Sequence, residues 1–215
     1  MARYAMQVVL LMPLLCLAAD QAKTDSSPLQ VGKDLPGPFH PYNVTGAHAG
    51  KYHCQVTEHN FENGILVFVR NFNAPDALAA VRPLLTTIDD RIEKNYTRVR
   101  LNCHAVFTSD DLTDITGSIG TPEANAKNDD LREAFEKQLK DFANAEPKLK
   151  HVVLVLDDKN DLKKYGLDDS KLVTVVLFKK LQIVAVFAVA KNELNQKTIT
   201  EINDAITDKL GATRK

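Results

Sequence analysis

The order in which apolar patterns follow one another constrains the fold of this 215-residue chain more than any other feature. Ile65-Leu66-Val67-Phe68-Val69-Arg70 has the length and content of a buried strand, spanning 64–70. Over 76–94, Ala77, Leu78, Val81, Leu84, Leu85, Ile88 and Ile92 then recur at helical spacing. Val99, Leu101, Cys103, Ala105 and Phe107 alternate as a strand does, and Thr108 to Lys127, with Gly117, Gly120 and Pro122, reads as loop. Asp129-Asp130 open a second helix, with acids at its positive end and a stripe of Leu131, Ala134, Phe135, Leu139 and Phe142. Val152 to Leu156 is apolar throughout, as a parallel strand covered on both faces requires. Leu172–Phe178 and Ile183–Val189 are joined by Lys179-Lys180-Leu181-Gln182 as a tight hairpin, and Thr198–Leu210 is an amphipathic helix ended by Gly211. The order β-α-β-α-β-β-β-α predicts an α/β domain, with parallel crossovers through the helices and an antiparallel piece from the terminal hairpin.

Upstream of this core the chain changes character twice. Residues 1–19 combine Arg3 with an apolar run from Val8 to Leu17 and the small residues Ala18 and Ala19, the pattern of a cleaved secretory signal peptide. The run is too short to span a bilayer. Leu15 before Cys16 sets lipidation aside. Residues 20–30 are polar and aperiodic and read as a flexible tether, which leaves 31–215 as one domain. Tyr42-Asn43-Val44-Thr45-Gly46 is the pattern of a short edge strand. The expected location is therefore periplasmic or extracellular. Signal cleavage removes Arg3 and no acid, so the net charge of −1 becomes one unit more negative. Neither that balance nor the interspersed charges point to nucleic acid or to a membrane surface after cleavage.

Pro83 lies inside the first core helix, and Leu84-Leu85-Thr86-Thr87-Ile88 follows it. With Val31-Gly32, Pro36-Gly37-Pro38-Phe39, Asn43-Val44-Thr45-Gly46 and the late hairpin, these residues resemble the thioredoxin and peroxiredoxin-like fold across 31–210. The nearest likeness, over Val31 to Arg70, is to exported bacterial thioredoxin-like proteins of unassigned function. The resemblance implies an α/β three-layer sandwich with a central mixed sheet and flanking helices. It also implies a redox cysteine pair whose second member lies five residues before that proline, where this chain has Pro75 and Leu78, and a cis-proline where Val173 stands. In the exported group a Cys-x-x-Cys often precedes the first core strand. Here Cys54-Gln55-Val56-Thr57 keeps one thiol of the two. A hydroxyl cannot resolve a mixed disulfide, so dithiol exchange of the usual kind is not expected.

Loss of the signal leaves Cys54 and Cys103, and four readings of them stand open. Cys103, alternating with Leu101 and Ala105, suits a core position. A Cys54–Cys103 disulfide would close a loop of about 50 residues and contribute about 4 kcal/mol. Cys54, flanked by His53 and His59, suits a reactive single thiol, with the histidines lowering its pKa. His53, Cys54 and His59 also offer imidazole and thiolate to zinc or copper, although no helix carries a His-x-x-x-His pair. The acidic run Asp157-Asp158-Lys159-Asn160-Asp161 lacks the glycine and terminal glutamate of a calcium loop and reads as a solvated turn. The expected function is a binding or structural module that engages a protein partner without a cofactor. The alternative is residual thiol redox chemistry, oxidoreductase or peroxidase-like, through Cys54 with or without Cys103.

Overall fold

The computed structural model describes residues 27–59, 62–116 and 121–212; the proposed signal peptide and residues 20–26 of the tether lie outside them. Six strands form one mixed sheet in the order β1-β4-β3-β2-β5-β6. They are β1 Tyr42–Asn43, β2 Asn63–Val69, β3 Leu101–Phe107, β4 Val152–Leu156, β5 Val173–Lys179 and β6 Gln182–Val189. The helices are α1 Gln55–His59, α2 Ala77–Val99, α3 Pro122–Asn144 and α4 Gln196–Leu210. Strands β2, β3 and β4 run parallel, while β1, β5 and β6 are antiparallel to their neighbours. Edge strand β1 falls within the segment that the sequence marked for it.

The successive parallel strands step in one direction across the sheet, so crossovers of one hand place α2 and α3 on the same face. Helix α4 joins them there. Val81, Leu84, Leu85 and Ile88 of α2, Phe135, Leu139 and Phe142 of α3, and Ile199, Ile202 and Ile206 of α4 pack with Val67, Ala105, Leu154 and Val175 of the sheet. The opposite face carries Leu66, Phe68, Val106, Val155, Val176 and Phe178. Among the described residues no long helix covers it. Leu29, Leu35 and Phe39 from the N-terminal segment, with Leu162 and Tyr165 beside a single 3₁₀ turn at Lys163–Tyr165, close that layer instead. The two layers flanking the sheet are therefore unequal.

Several local expectations change. The end of the tether, residues 27–30, is packed against the domain, with Leu29 buried. Gly32 and Lys33 exchange backbone bonds with Ile183 on the edge strand, and the Leu35 amide donates to Leu181. A five-residue helix, α1, begins directly after Cys54, which itself lies outside the regular elements. Helix α3 begins at Pro122, inside the stretch read as loop, because the Thr121 hydroxyl caps it by accepting from the Ala124 amide at 3.3 Å. Asp157 and Asp158 are buried, so the acidic run is not a solvated turn. Gly64 of β2 lies opposite Phe178, whose ring occupies the space a Cβ would need. Pro83 is inside α2, as the pattern predicts. Among the described residues no helix is long and apolar enough to cross a membrane.

Candidate functional site

The parallel strands β2, β3 and β4 all end at one edge of the sheet, the edge at which open α/β folds place ligands. Val69, Phe107 and Leu156 are register partners there and face the three-helix layer. The next residue of each chain is polar: Arg70, Thr108 and Asp157. Strand alternation turns these three toward the other layer, above Phe68, Val106 and Val155. Backbone bonds hold the row, from the Thr108 amide to Val69 at 2.9 Å and from the Asp157 amide to Phe107 at 3.0 Å. The Arg70 amide donates to Leu172 at 2.9 Å.

All three side chains are buried, at 7%, 2% and 0% exposure for Arg70, Thr108 and Asp157. The Arg70 guanidinium pairs with Asp169, whose side chain is 85% exposed. Asp157 Oδ1 accepts from the Asp158 amide at 2.9 Å. Asp157 Oδ2 and the Thr108 hydroxyl have no hydrogen-bond partner among the described residues. Burial pushes the Asp157 carboxyl well above the usual carboxylate range, and the charge of Asp161 adds to the effect. Asp158 differs: its two oxygens accept from the amides of Ile115, Asn160 and Asp161, which ties the loop down. Between this row and the loop that follows β4 lies a cleft of about 250 Å³, walled by Leu162 and Leu167 and flanked by Lys159 and Lys163.

The position of the expected redox pair is at the start of α2, beyond Arg70. Pro75 is exposed and its carbonyl accepts from the Lys191 ammonium at 2.6 Å. Asp76 has φ 60, in the left-handed region that Asp enters more readily than most residues. Ala77 is buried and Leu78 is half-buried against the main core. These four residues offer no thiol. Val173 opens β5, buried and paired with Val69, after a trans peptide bond.

Among the described residues the cysteines are Cys54 and Cys103, both buried free thiols. Cys103 faces the three-helix layer at 1% exposure, and its burial, with the charge of Asp89, raises its thiol well above the ordinary value. Cys54 precedes α1, whose Val56 packs against the opposite layer, and it lies close enough to Tyr165 for their charges to repel. The disulfide expectation does not hold in this structure: the two thiols are unbonded, Cys103 within the helical layer and Cys54 near Tyr165 of the other layer. Burial, reinforced by the charges of Cys54, Asp161 and Asp157, raises the Tyr165 phenol, which donates to the Gly37 carbonyl at 2.7 Å.

Cys54 has a different partner from those the sequence offered. The Thr57 amide and the Thr57 hydroxyl donate to its Sγ at 3.4 and 3.1 Å. His53 stacks on His48 with ring centroids 3.8 Å apart. His59 falls in α1, and its side chain lies outside the described residues. Among the described residues no group of three or more His, Cys, Asp or Glu side chains is placed to hold a metal ion. Sequence reasoning missed the row of Arg70, Thr108 and Asp157. Its signal was present, since each is a polar residue directly after an apolar strand end, Phe68-Val69, Val106-Phe107 and Val155-Leu156.

Neither a family model nor a curated protein matches the chain. Solved structures do. A protein from Chlorobium tepidum assigned as thiol:disulfide interchange protein DsbE superposes with a TM-score of 0.53 at 12% identity, over 85% of this chain and 99% of that one. The yeast mitochondrial 1-Cys peroxiredoxin gives 0.52 at 14% identity, over 85% of this chain and 79% of that one. A thiol:disulfide interchange protein from Bacteroides sp. gives 0.50 at 11% identity, over 87% and 95%. With the mixed sheet and its flanking helices, these likenesses establish that the chain has a thioredoxin-like fold.

Proposed function

We propose that this chain is an exported thioredoxin-like domain that acts by binding, without thiol exchange. The observation that carries the reading is the start of α2, where Pro75-Asp76-Ala77-Leu78 supplies no nucleophile while both described thiols are buried elsewhere. Exchange needs an accessible thiolate and a second thiol to resolve the mixed disulfide. Cys103 is held protonated by burial, and Cys54 has a threonine where a resolving cysteine would be. The exposed Pro75 and Asp76, with Leu78 beside them, form the face through which a protein partner is engaged. Export rests on the pattern of residues 1–19.

One observation favours the rival reading, in which Cys54 is a redox thiol like those of the neighbouring interchange proteins and the peroxiredoxin. Two donors from Thr57 converge on its sulfur and hold the thiol at the start of α1. Timed alkylation read by intact mass, alongside turnover of a small aromatic disulfide and of hydrogen peroxide, separates the two. The binding reading expects Cys54 and Cys103 to label only on denaturation, with no turnover. Rapid labelling of one native thiol, with turnover abolished in Cys54→Ser, would overturn it.

A further inference from the structure

The cleft at the carboxyl ends of β2, β3 and β4 has features that the binding reading alone does not use. We infer that it is a binding site for a small organic acid, whose carboxylate takes the place of Asp169 on Arg70; this rests on the reading of the chain as a binding module. The first ground is the state of Arg70. Its side chain is 8% exposed, whereas the paired Asp169 side chain is 85% exposed. A buried guanidinium must have a counter-charge, because an unpaired buried charge is costly. A carboxylate still in water and tethered on a loop gives a weak pair that another carboxylate can replace. A ligand acid carrying an apolar body brings the same planar, two-oxygen match to the guanidinium and adds buried surface that Asp169 lacks.

The second ground is independent of the first. Thr108 lines the same cleft at 2% exposure, and its hydroxyl has no partner among the described residues. Buried hydroxyls are almost always hydrogen-bonded, and an orphan in a cleft wall marks the place where a ligand oxygen completes the bond. The lining also has the right sign. Arg70, Lys159 and Lys163 stand against the one carboxylate of Asp169 in that lining. Lys159 is itself paired with Asp110. The neighbouring Asp157, whose carboxyl is held toward its neutral form by burial, opposes an anion less than its position suggests.

Size and polarity set the class of ligand. At about 250 Å³ the cleft is below the ~300–1,000 Å³ range of drug-sized ligand sites. Leu162 and Leu167 accept a short aliphatic or aromatic body, and one buried guanidinium serves one carboxylate. No thiol lines the cleft, so the ligand is bound and not oxidised or reduced there.

The test is a titration of the full chain with acetate, butyrate and benzoate, followed by the Arg70 Nε–H and Thr108 amide resonances. The expected result is a saturable shift in the millimolar range, tighter for butyrate and benzoate than for acetate. Asp169→Asn, which removes the competing carboxylate, tightens binding about tenfold. Arg70→Gln abolishes it, and Thr108→Val, which keeps the side chain's shape, weakens it about fivefold should the arginine variant fail to fold. The absence of saturable shifts at about 100 mM in both the natural chain and Asp169→Asn would overturn the assignment. So would binding that Thr108→Val and Arg70→Gln leave unchanged. Acids that fail to bind while the thiols stay inert remove the cleft and leave the binding-module reading standing. Turnover at Cys54 alongside acid binding does the reverse.

Discussion

Asp157 shows how much a single residue's meaning depends on packing. Its neighbours in sequence are Asp158, Lys159, Asn160 and Asp161, a composition that belongs in water, yet its side chain is completely buried. Strand β4 feeds it into the row with Arg70 and Thr108, and Leu162 and Tyr165, packed against Phe68 and Val106 from strands distant in sequence, close over that edge. No local pattern announces such closure. The consequence is a pH dependence of definite sign. The folded state holds the Asp157 proton to a higher pH than the unfolded state, whose value is near 3.8. Above that value the unfolded chain ionises first, so this residue lowers stability as pH rises, until the folded carboxyl also ionises. Below it both states are neutral and the effect vanishes. Asp157→Asn retains the carbonyl that accepts the Asp158 amide and removes the titration. Denaturant unfolding at pH 7 and pH 3.5 is expected to find the variant more stable than its parent at pH 7, with the gap closed at pH 3.5. A gap of the same size at both values would show that ionisation is not its cause.

At the scale of elements, what could be read locally was the periodic part. Strands β2 to β6 and helices α2 and α4 announce themselves because burial on one or two faces imposes alternation, an unbroken apolar run or a helical stripe. The first turns of α3 were missed because residues 122–128 are mostly polar and bury only Asn128. The Thr121 cap and Pro122 at the first helical position were the local signal. Helix α1, five residues long, has too few turns to show a period. What joins the elements is less visible still. Asp89, on the buried side of α2, accepts from the backbone amides of Lys150, His151 and Val152, at 2.7–3.0 Å through Oδ1, and so sets the entry of β4. Nothing within α2 hints at partners sixty residues on. Asp89→Ala leaves three amides without their acceptor, so a loss of about 3 kcal/mol or more is expected in urea unfolding. A loss below about 1 kcal/mol would mean that water satisfies those amides and that α2 does not hold the start of β4.

For the molecule as a whole, stability is distributed between two apolar layers of different construction, and the cysteines take part only as core or near-core groups. One layer is built from three long helices, the other from extended segments and a 3₁₀ turn, so the sheet is sealed on its second face largely by loops. Fold class was legible from element order, since few topologies accommodate that order. A covalent staple was not, because which face a strand residue presents depends on register, and Cys103 belongs to the helical layer while Cys54 lies toward Tyr165. This separates two accounts of the same chain by a measurement on the whole molecule. A disulfide closing about 50 residues contributes about 4 kcal/mol. For a protein of this size each kcal/mol moves Tm by roughly 2–4 °C, so breaking such a bond lowers Tm by roughly 8–16 °C. The two-layer structure with free thiols is expected to melt at the same temperature, within about 1 °C, with and without a reductant in the buffer. A fall of the larger size on reduction would require Cys54 to reach Cys103 across the sheet, and with it a different packing of the segment that carries α1.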